Sequence, residues 1–397
     1  MMNNNPQMAG MVNPNLVPMP QIRPSGHSTA IRIAAAIVAL LMALLLGLIV
    51  LLLIGFETGP VGLLIGLVSA TIPVPLYVIL VLWIDRYESE PPWMLATAFL
   101  WGALIAVFFA FILNTASGLF VIALTNDKQA AEAFSAGISA PIVEESAKAL
   151  ILLIFFFFKK DEFDGVVDGI VYAAMVGLGF AMTENIQYYG RAVLQGGGGG
   201  LTVLFILRGM LAPFSHPLFT SMTGMGLGLA RQSKNVLVKV AAPILGLVLA
   251  ILMHSIWNGS AILLGFIGFL LTYFFIMVPM FFTILIVIFL ALRREGRVVR
   301  EFLLPDYQRG LFTAEEYNQL CSVRGRMGAS FNAFSRGGFA NWRACMRFNQ
   351  TASELAFHRS RIARGIGAQR PDVHEREAAY LQALEQLARR LRTAKVT

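Results

Sequence analysis

The stretch "APIVEESAKALILLIFFFF", residues 140–158, decides the fold. Its last ten residues are apolar, yet it begins with two adjacent glutamates and a lysine. A charged side chain in the centre of a bilayer costs at least about 2.5–3.5 kcal/mol, so such residues face a bundle interior and find partners there. Pro141 suits the first turn of a helix, where its missing N–H costs nothing. The glutamates then sit near the positive end of the helix dipole. Lys148 follows Glu144 by four residues and Glu145 by three, within reach of either. The segment therefore reads as a membrane helix whose polar face needs other helices around it.

Composition agrees. The chain has 397 residues, of which 57% are hydrophobic and 14% charged, and its mean hydropathy is +0.68. Soluble domains are nearer to 45–50% and about 25%. This excludes an ordinary soluble enzyme and makes the chain an all-α, polytopic membrane helical bundle. The net charge of +8 is uneven: residues 293–397 hold 19 of the 31 Lys/Arg and 10 of the 23 Asp/Glu. Cys321 and Cys345 both lie there, without a disulfide framework, which suggests free thiols in a reducing compartment.

Three regions follow. Residues 1–30, rich in Asn, Pro and Met, are expected to form a disordered arm. Residues 31–292 are expected to form a membrane domain of about eight transmembrane helices, near 31–56, 61–84, 93–115, 139–158, 165–190, 201–230, 236–259 and 262–292. Residues 293–397 form a basic tail in which "FTAEEY" (312–317) is a capping box and Tyr380, Leu384, Leu387 and Leu391 make an apolar stripe. A small helical cytosolic domain is expected, its basic surface apposed to anionic membrane lipid. No nucleic-acid motif accompanies the charge, so no nucleic-acid partner is expected.

The positive-inside rule places both termini in the cytoplasm, with Arg86, Lys159, Lys160, Arg231, Lys234, Lys239 and the tail on the inner side. Lys128, Arg191 and Arg208 fall outside. Because successive spans alternate in direction, Glu144 and Glu145, Glu184, His216, and His254 with Asn258 all reach the outer leaflet. Stripes of small residues at i, i+4 share their faces: Gly165 to Ala181 leading to Glu184, Gly224 and Gly228 after His216 and Thr220, and Ala242, Gly246 and Ala250 before His254. Such stripes let membrane helices approach closely. Pro213 and Pro217 bracket His216 and are expected to unwind the backbone there.

Carboxylates and histidines inside a membrane suit hydrolysis with a glutamate-activated water, a proton or ion relay in a transporter, or a purely structural bundle. A transporter would spread ionisable groups over the whole depth or show inverted repeats, and neither pattern is visible. The HExxH signature of soluble zinc proteases is absent.

The motifs "WIDRYESEPPW" (83–93), "PIVEESAKAL" (141–150), "FDGVVDGIVYAAMVGLGFAMTENIQYY" (163–189), "SHPLFTSMTGMGLG" (215–228) and "HSIWN" (254–258) resemble, in order, those of the PrsW intramembrane proteases. That family is similar in turn to the CAAX prenyl endopeptidases. Two positions depart from the wider pattern: Ala212 stands where a Phe precedes the histidine, and Lys148 stands where an Arg follows the double glutamate. The resemblance implies an endopeptidase of the cell membrane that cleaves a membrane-protein substrate, such as an anti-sigma factor, near the outer leaflet. It implies that Glu144 with His216 activates water, that His254 and Asn258 stabilise the oxyanion, and that Glu145 and Glu184 orient or ligate. Either a zinc ion on His216, His254 and a glutamate such as Glu184, or a metal-free glutamate mechanism, fits the resemblance.

Overall fold

The computed structural model describes residues 26–87, 89–365 and 372–393. The arm expected over residues 1–30 falls almost wholly outside the described residues. Among the described residues every element is helical, with no strand: α1 (Gly26–Thr71), α2 (Val74–Ile84), α3 (Pro92–Leu100), α4 (Val107–Thr125), α5 (Lys128–Phe134), α6 (Ala140–Phe158), α7 (Val166–Leu204), α8 (Ser215–Gln232), α9 (Val236–Thr272), α10 (Val278–Gln308), α11 (Ala314–Leu320), α12 (Val323–Ala363) and α13 (Val373–Thr393). Wider π-helical turns at Trp101–Ala106, Ser135–Ser139, Phe205–Leu211 and Tyr273–Met277 join several of them.

Four stretches are long and apolar enough to cross a membrane: Ile33–Ile84, Pro92–Thr125, Val166–Gln232 and Val236–Gln308. They are fewer than the eight segments expected because three contain a glycine at positive φ where the chain reverses, at Gly59, Gly197 and Gly265, and because the segment expected over 139–158, helix α6 with its three charged residues, is not among them. The reversal at Gly265 is visible in its neighbours. Trp257 and Phe269 rings lie 5.1 Å apart and Thr272 Oγ1 donates to Ser260 Oγ at 2.6 Å, whereas twelve residues of straight helix would separate the rings by about 18 Å. A side chain with a Cβ would be strained at that φ of +58°. Helix α6 carries Glu144, Glu145 and Lys148 in its first half and is otherwise apolar.

The chain divides into two compact units, the larger being Arg32–Leu292. At its centre is Val166–Gln232, whose most apolar window is 94% buried inside the protein, against 22% for Ile33–Ile84. Outer helices of a bundle turn their apolar side chains to lipid, and the central pair turns them to protein. Helices α7 and α8 touch along their glycine stripes. A Cβ at Gly169 would stand 2.1 Å from the Gly224 carbonyl oxygen, and one at Gly224 would stand 2.0 Å from that of Gly169, so no side chain fits at either position.

Two of the sequence motifs fasten one end of this bundle. The Asp168 carboxylate accepts from the backbone N–H of Asp164 at 2.8 Å and of Gly165 at 2.6 Å, closing the start of α7. Asp85 accepts from the N–H of Glu90 at 2.8 Å, and Glu90 in turn takes the Tyr172 hydroxyl. Asp168 and Glu184 are sixteen residues apart on α7, about 24 Å of helix, so the histidine-bearing cluster lies toward the other end.

The second unit contains Arg293–Thr397. Thr313 and Glu316 form the capping box of α11 at 2.8 and 3.2 Å, and Arg392 of α13 binds the same glutamate at 2.6 Å. Leu384 and Ala388 of α13 are buried. Cys321 and Cys345 are buried and not joined in a disulfide, and His358 is packed with Nε2 3.2 Å from the Val373 carbonyl.

Candidate active site

Four helices bring their costly residues to one place. Helix α6 contributes Glu144, Glu145 and Lys148, α7 contributes Glu184, α8 contributes His216 and Thr220, and α9 contributes His254. Proline and glycine fix His216. The π-helical turn Phe205–Leu211 ends in an irregular Ala212–Phe214 link, and α8 restarts at Ser215 with Pro217 in its first turn, where proline is tolerated. Gly177 of α7 lies against this turn so closely that a Cβ would be 2.6 Å from Pro217 N and 2.8 Å from His216 C.

Lys148 is the hub and is fully buried. Its ammonium lies 2.9 Å from Glu145 Oε1, 3.5 Å from Glu144 Oε2 and 3.0 Å from His216 Nδ1, and 3.8 Å from the centre of the Phe180 ring. An ammonium has no lone pair to offer. Nδ1 of His216 therefore accepts, and its Nε2–H donates to Glu184 Oε2 at 2.8 Å. Arg208 holds Glu184 from the other side, donates to Asn185 Oδ1 at 2.7 Å, and stacks on Tyr188 at 3.9 Å. Such pairing offsets the desolvation of buried charge, and an unpaired charge at this depth would cost several kcal/mol, of order 3–5.

The two adjacent glutamates differ. Glu145 is saturated: Oε1 accepts from Lys148 and, at 3.0 Å, from His254 Nδ1–H, while Oε2 accepts from Thr220 Oγ1 at 2.9 Å. Glu144 is held loosely, with Asn114 Nδ2 at 3.4 Å and His254 Nε2 at 3.9 Å. The Phe219 ring stacks on His254 with centroids 4.9 Å apart. With Nδ1–H committed to Glu145, His254 Nε2 carries the lone pair, directed to the side of Glu144.

The ligand atoms of Glu144, His216 and His254 all lie within 4.8 Å of one another, so these three could hold a metal ion. The donor set suits zinc, which takes His nitrogen and carboxylate oxygen and keeps a fourth position open in catalytic sites. The next layer suits it too. Glu145 on His254 and Glu184 on His216 are the carboxylate–histidine pairs that orient metal-binding imidazoles. The residue types thus fit a metal, and an ion and the Lys148 ammonium would compete for the His216 Nδ1 lone pair.

Two expected residues stand elsewhere. Asn258, one turn beyond His254, donates through Nδ2 to the Ala136 carbonyl at 3.0 Å, in the π-helical turn preceding α6. Glu184, expected among the ligands, engages Arg208 and the outer nitrogen of His216, and Glu144 takes its place in the three-donor group. Four contributors went unnoticed in the sequence: Asn114, Arg208, Phe180 and Phe219. An arginine inside "FILRGML" is an intramembrane charge and so a site signal in itself, but within the span expected over 201–230 it reads only as an outer-side charge. The aromatics carry no such signal among 30 phenylalanines.

Carboxylates, an ammonium and two imidazoles converging in the buried interior of an apolar helical bundle are an arrangement that suits an intramembrane hydrolase. Residues 90–284 match the PrsW-protease family, described as the PrsW family of intramembrane metalloproteases. Protease PrsW of Geobacillus kaustophilus is 36% identical over 147 residues, covering 37% of this chain and 58% of that protein. Protease PrsW of Oceanobacillus iheyensis is 31% identical over 208 residues, or 52% of this chain and 87% of that protein. The Bacillus subtilis protein is 30% identical over 182 residues, with 44% and 71% covered. No solved structure matches the chain. The chain belongs to the PrsW family. The match spans under two thirds of the Geobacillus relative, and residues 293–397 lie beyond the family match.

Proposed function

We propose that this protein cleaves a peptide bond of a membrane-protein substrate near the outer leaflet, with Glu144 as the group that takes the proton of the attacking water. The observation that carries this reading is the asymmetry of the two glutamates. Glu145 accepts three hydrogen bonds at 2.9–3.0 Å, two on Oε1 and one on Oε2, which suits a fixed positioning charge. Glu144 has contacts only at 3.4–3.9 Å, which leaves it able to accept a new proton donor, as a general base must.

The remaining residues take roles from their geometry. Lys148 is the positive charge nearest to Glu144 and lowers the cost of the negative charge that develops on the carbonyl oxygen as water adds. Glu145 and Glu184 fix the tautomers and ring orientations of His254 and His216. Asn258 positions the turn that leads into α6. Should a metal ion bind, His216 and His254 would hold it beside Glu144, and it would supply Lewis acidity to the scissile carbonyl. A single-span substrate, such as an anti-sigma factor, fits a centre embedded in a bilayer. Both termini lie in the cytoplasm and the protein resides in the cell membrane, which agrees with the distribution of basic residues.

The test is Glu144→Gln in proteoliposomes with a single-span reporter. Cleavage is expected to fall by about 10²- to 10⁴-fold with folding intact. Normal cleavage would remove Glu144 as the base, and a Glu144-dependent proton flux without proteolysis would replace this reading with that of a transporter.

A further inference from the structure

Helix α12 turns back at Gly337 and Gly338, the latter with φ +62°. Its arms lie side by side, with Ser330 Oγ 3.4 Å from Met346 Sδ. One face of the hairpin is covered by the tail's own core: Ala344, Cys345 and Phe348 are buried. The other face is bare. Met327, Phe331 and Phe334, at i, i+4 and i+7 of the first arm, are 50%, 71% and 52% exposed, and Phe339 and Met346 on the second are 60% and 43% exposed. Single exposed apolar residues are ordinary, but five on adjoining arms form a patch that calls for an occupant.

Charge indicates which occupant. Arg324, Arg336, Arg343 and Arg347 are exposed among these side chains, and residues 317–353 contain no aspartate or glutamate. A second copy docking on the same face would bring like charges together, which disfavours it. Large apolar side chains flanked by arginine on a helix face are the pattern of a segment lying in a membrane interface. Helix α10 runs without interruption from an apolar stretch into this tail, so the hairpin is tethered to a bilayer-spanning chain.

We propose that the Val323–Ala363 hairpin docks on an anionic phospholipid surface, with its phenylalanines and methionines at the level of the upper acyl chains and its four arginines on lipid phosphates. The inference is independent of the proteolytic reading.

The experiment uses the full-length chain in lipid nanodiscs, with Cys321→Ala and Cys345→Ala and a polarity-sensitive probe on Ser335→Cys at the hairpin tip. In discs containing phosphatidylglycerol the probe should shift to the blue and be shielded from an aqueous quencher, and in discs of phosphatidylcholine alone it should not. A reference probe on Gln386→Cys, exposed on α13, should stay aqueous and unchanged in anisotropy in every variant, which reports that the tail remains folded. Replacing the four arginines by glutamine should weaken docking by about fivefold per residue removed. F331S/F334S/F339S should abolish shielding while the reference probe is unaffected. An aqueous tip probe in anionic discs would overturn the proposal. So would equal shielding in neutral discs, or shielding that persists in detergent and grows with protein concentration, the signature of a second copy.

Discussion

Replacing Glu145 by glutamine is expected to destabilise the membrane unit, whereas the same change one residue earlier abolishes activity in a stable protein. Glu145 has no exposed surface and receives Lys148, His254 and Thr220 at 2.9–3.0 Å. Glutamine keeps the shape but removes the charge, and the ammonium of Lys148 cannot escape to water. Stripping one partner from a buried ion pair costs about 3–5 kcal/mol. The lower end applies here, because Lys148 keeps Glu144 at 3.5 Å and His216 at 3.0 Å. At about 2–4 °C per kcal/mol for a domain of this size, Glu145→Gln should lower the melting temperature by about 6–12 °C. Glu144 makes only long contacts and is 7% exposed at its side chain, so Glu144→Gln should melt within about 2 °C of the parent while losing its cleavage rate, since a weak contact contributes well under 1 kcal/mol. Both quantities are read on one detergent preparation, by thermal denaturation and by cleavage of a single-span reporter. A Glu145→Gln protein as stable as the parent, or a Glu144→Gln protein that melts early in its place, would refute the division of roles.

Arg208→Gln should lower kcat by about 10- to 100-fold with little change in KM, because it leaves Glu184 with His216 alone and loosens a partner that orients the imidazole; an unchanged kcat removes Arg208 from the site. Gly177→Ala should cost activity of order 10²-fold by pushing the Pro217–His216 backbone, since misplacing a reacting group by about 1 Å has that effect, and a fully active variant would show that the α7–α8 approach is not what places His216. In a chain with Cys321 and Cys345 replaced by alanine, cysteines at Asn126 and Gln195 should react with an impermeant reagent from outside and one at Lys160 should not; the opposite pattern would invert the topology. In the tail, burial alone would raise the Glu316 carboxyl, but Arg392 and the Thr313 cap hold it below the usual carboxylate value. A depressed folded value stabilises the tail above the ordinary carboxylate pKa and is lost as pH falls through the folded one, so proteolysis near α11 should quicken on acidification, and Arg392→Gln should flatten that dependence.

The sequence by itself determined the helical membrane class, because long apolar runs with few charges admit no other solution in lipid. It also singled out Glu144, Glu145, Glu184, His216 and His254, since each stands out against an apolar background and their alternating positions in successive spans imply one level. Even the small-residue stripes were readable, because close helix approach leaves an i, i+4 signature that survives without coordinates. Only the tertiary structure decided the work within the cluster. Whether Glu144 or Glu145 is saturated depends on Thr220 and His254 arriving from two other helices, and nothing in "EE" distinguishes them. Asn258 shares a helix face with His254, yet one turn of α9 is enough to carry its amide past the cluster to the Ala136 carbonyl. Arg208 reads from the sequence only as an outer-side charge, and it is the π-helical turn before α8 that sets it against Glu184. Periodicity along one helix fixes which residues face inward, but a hydrogen bond between helices depends on their rotation and offset to a fraction of an ångström, and those are set by the packing of the whole bundle.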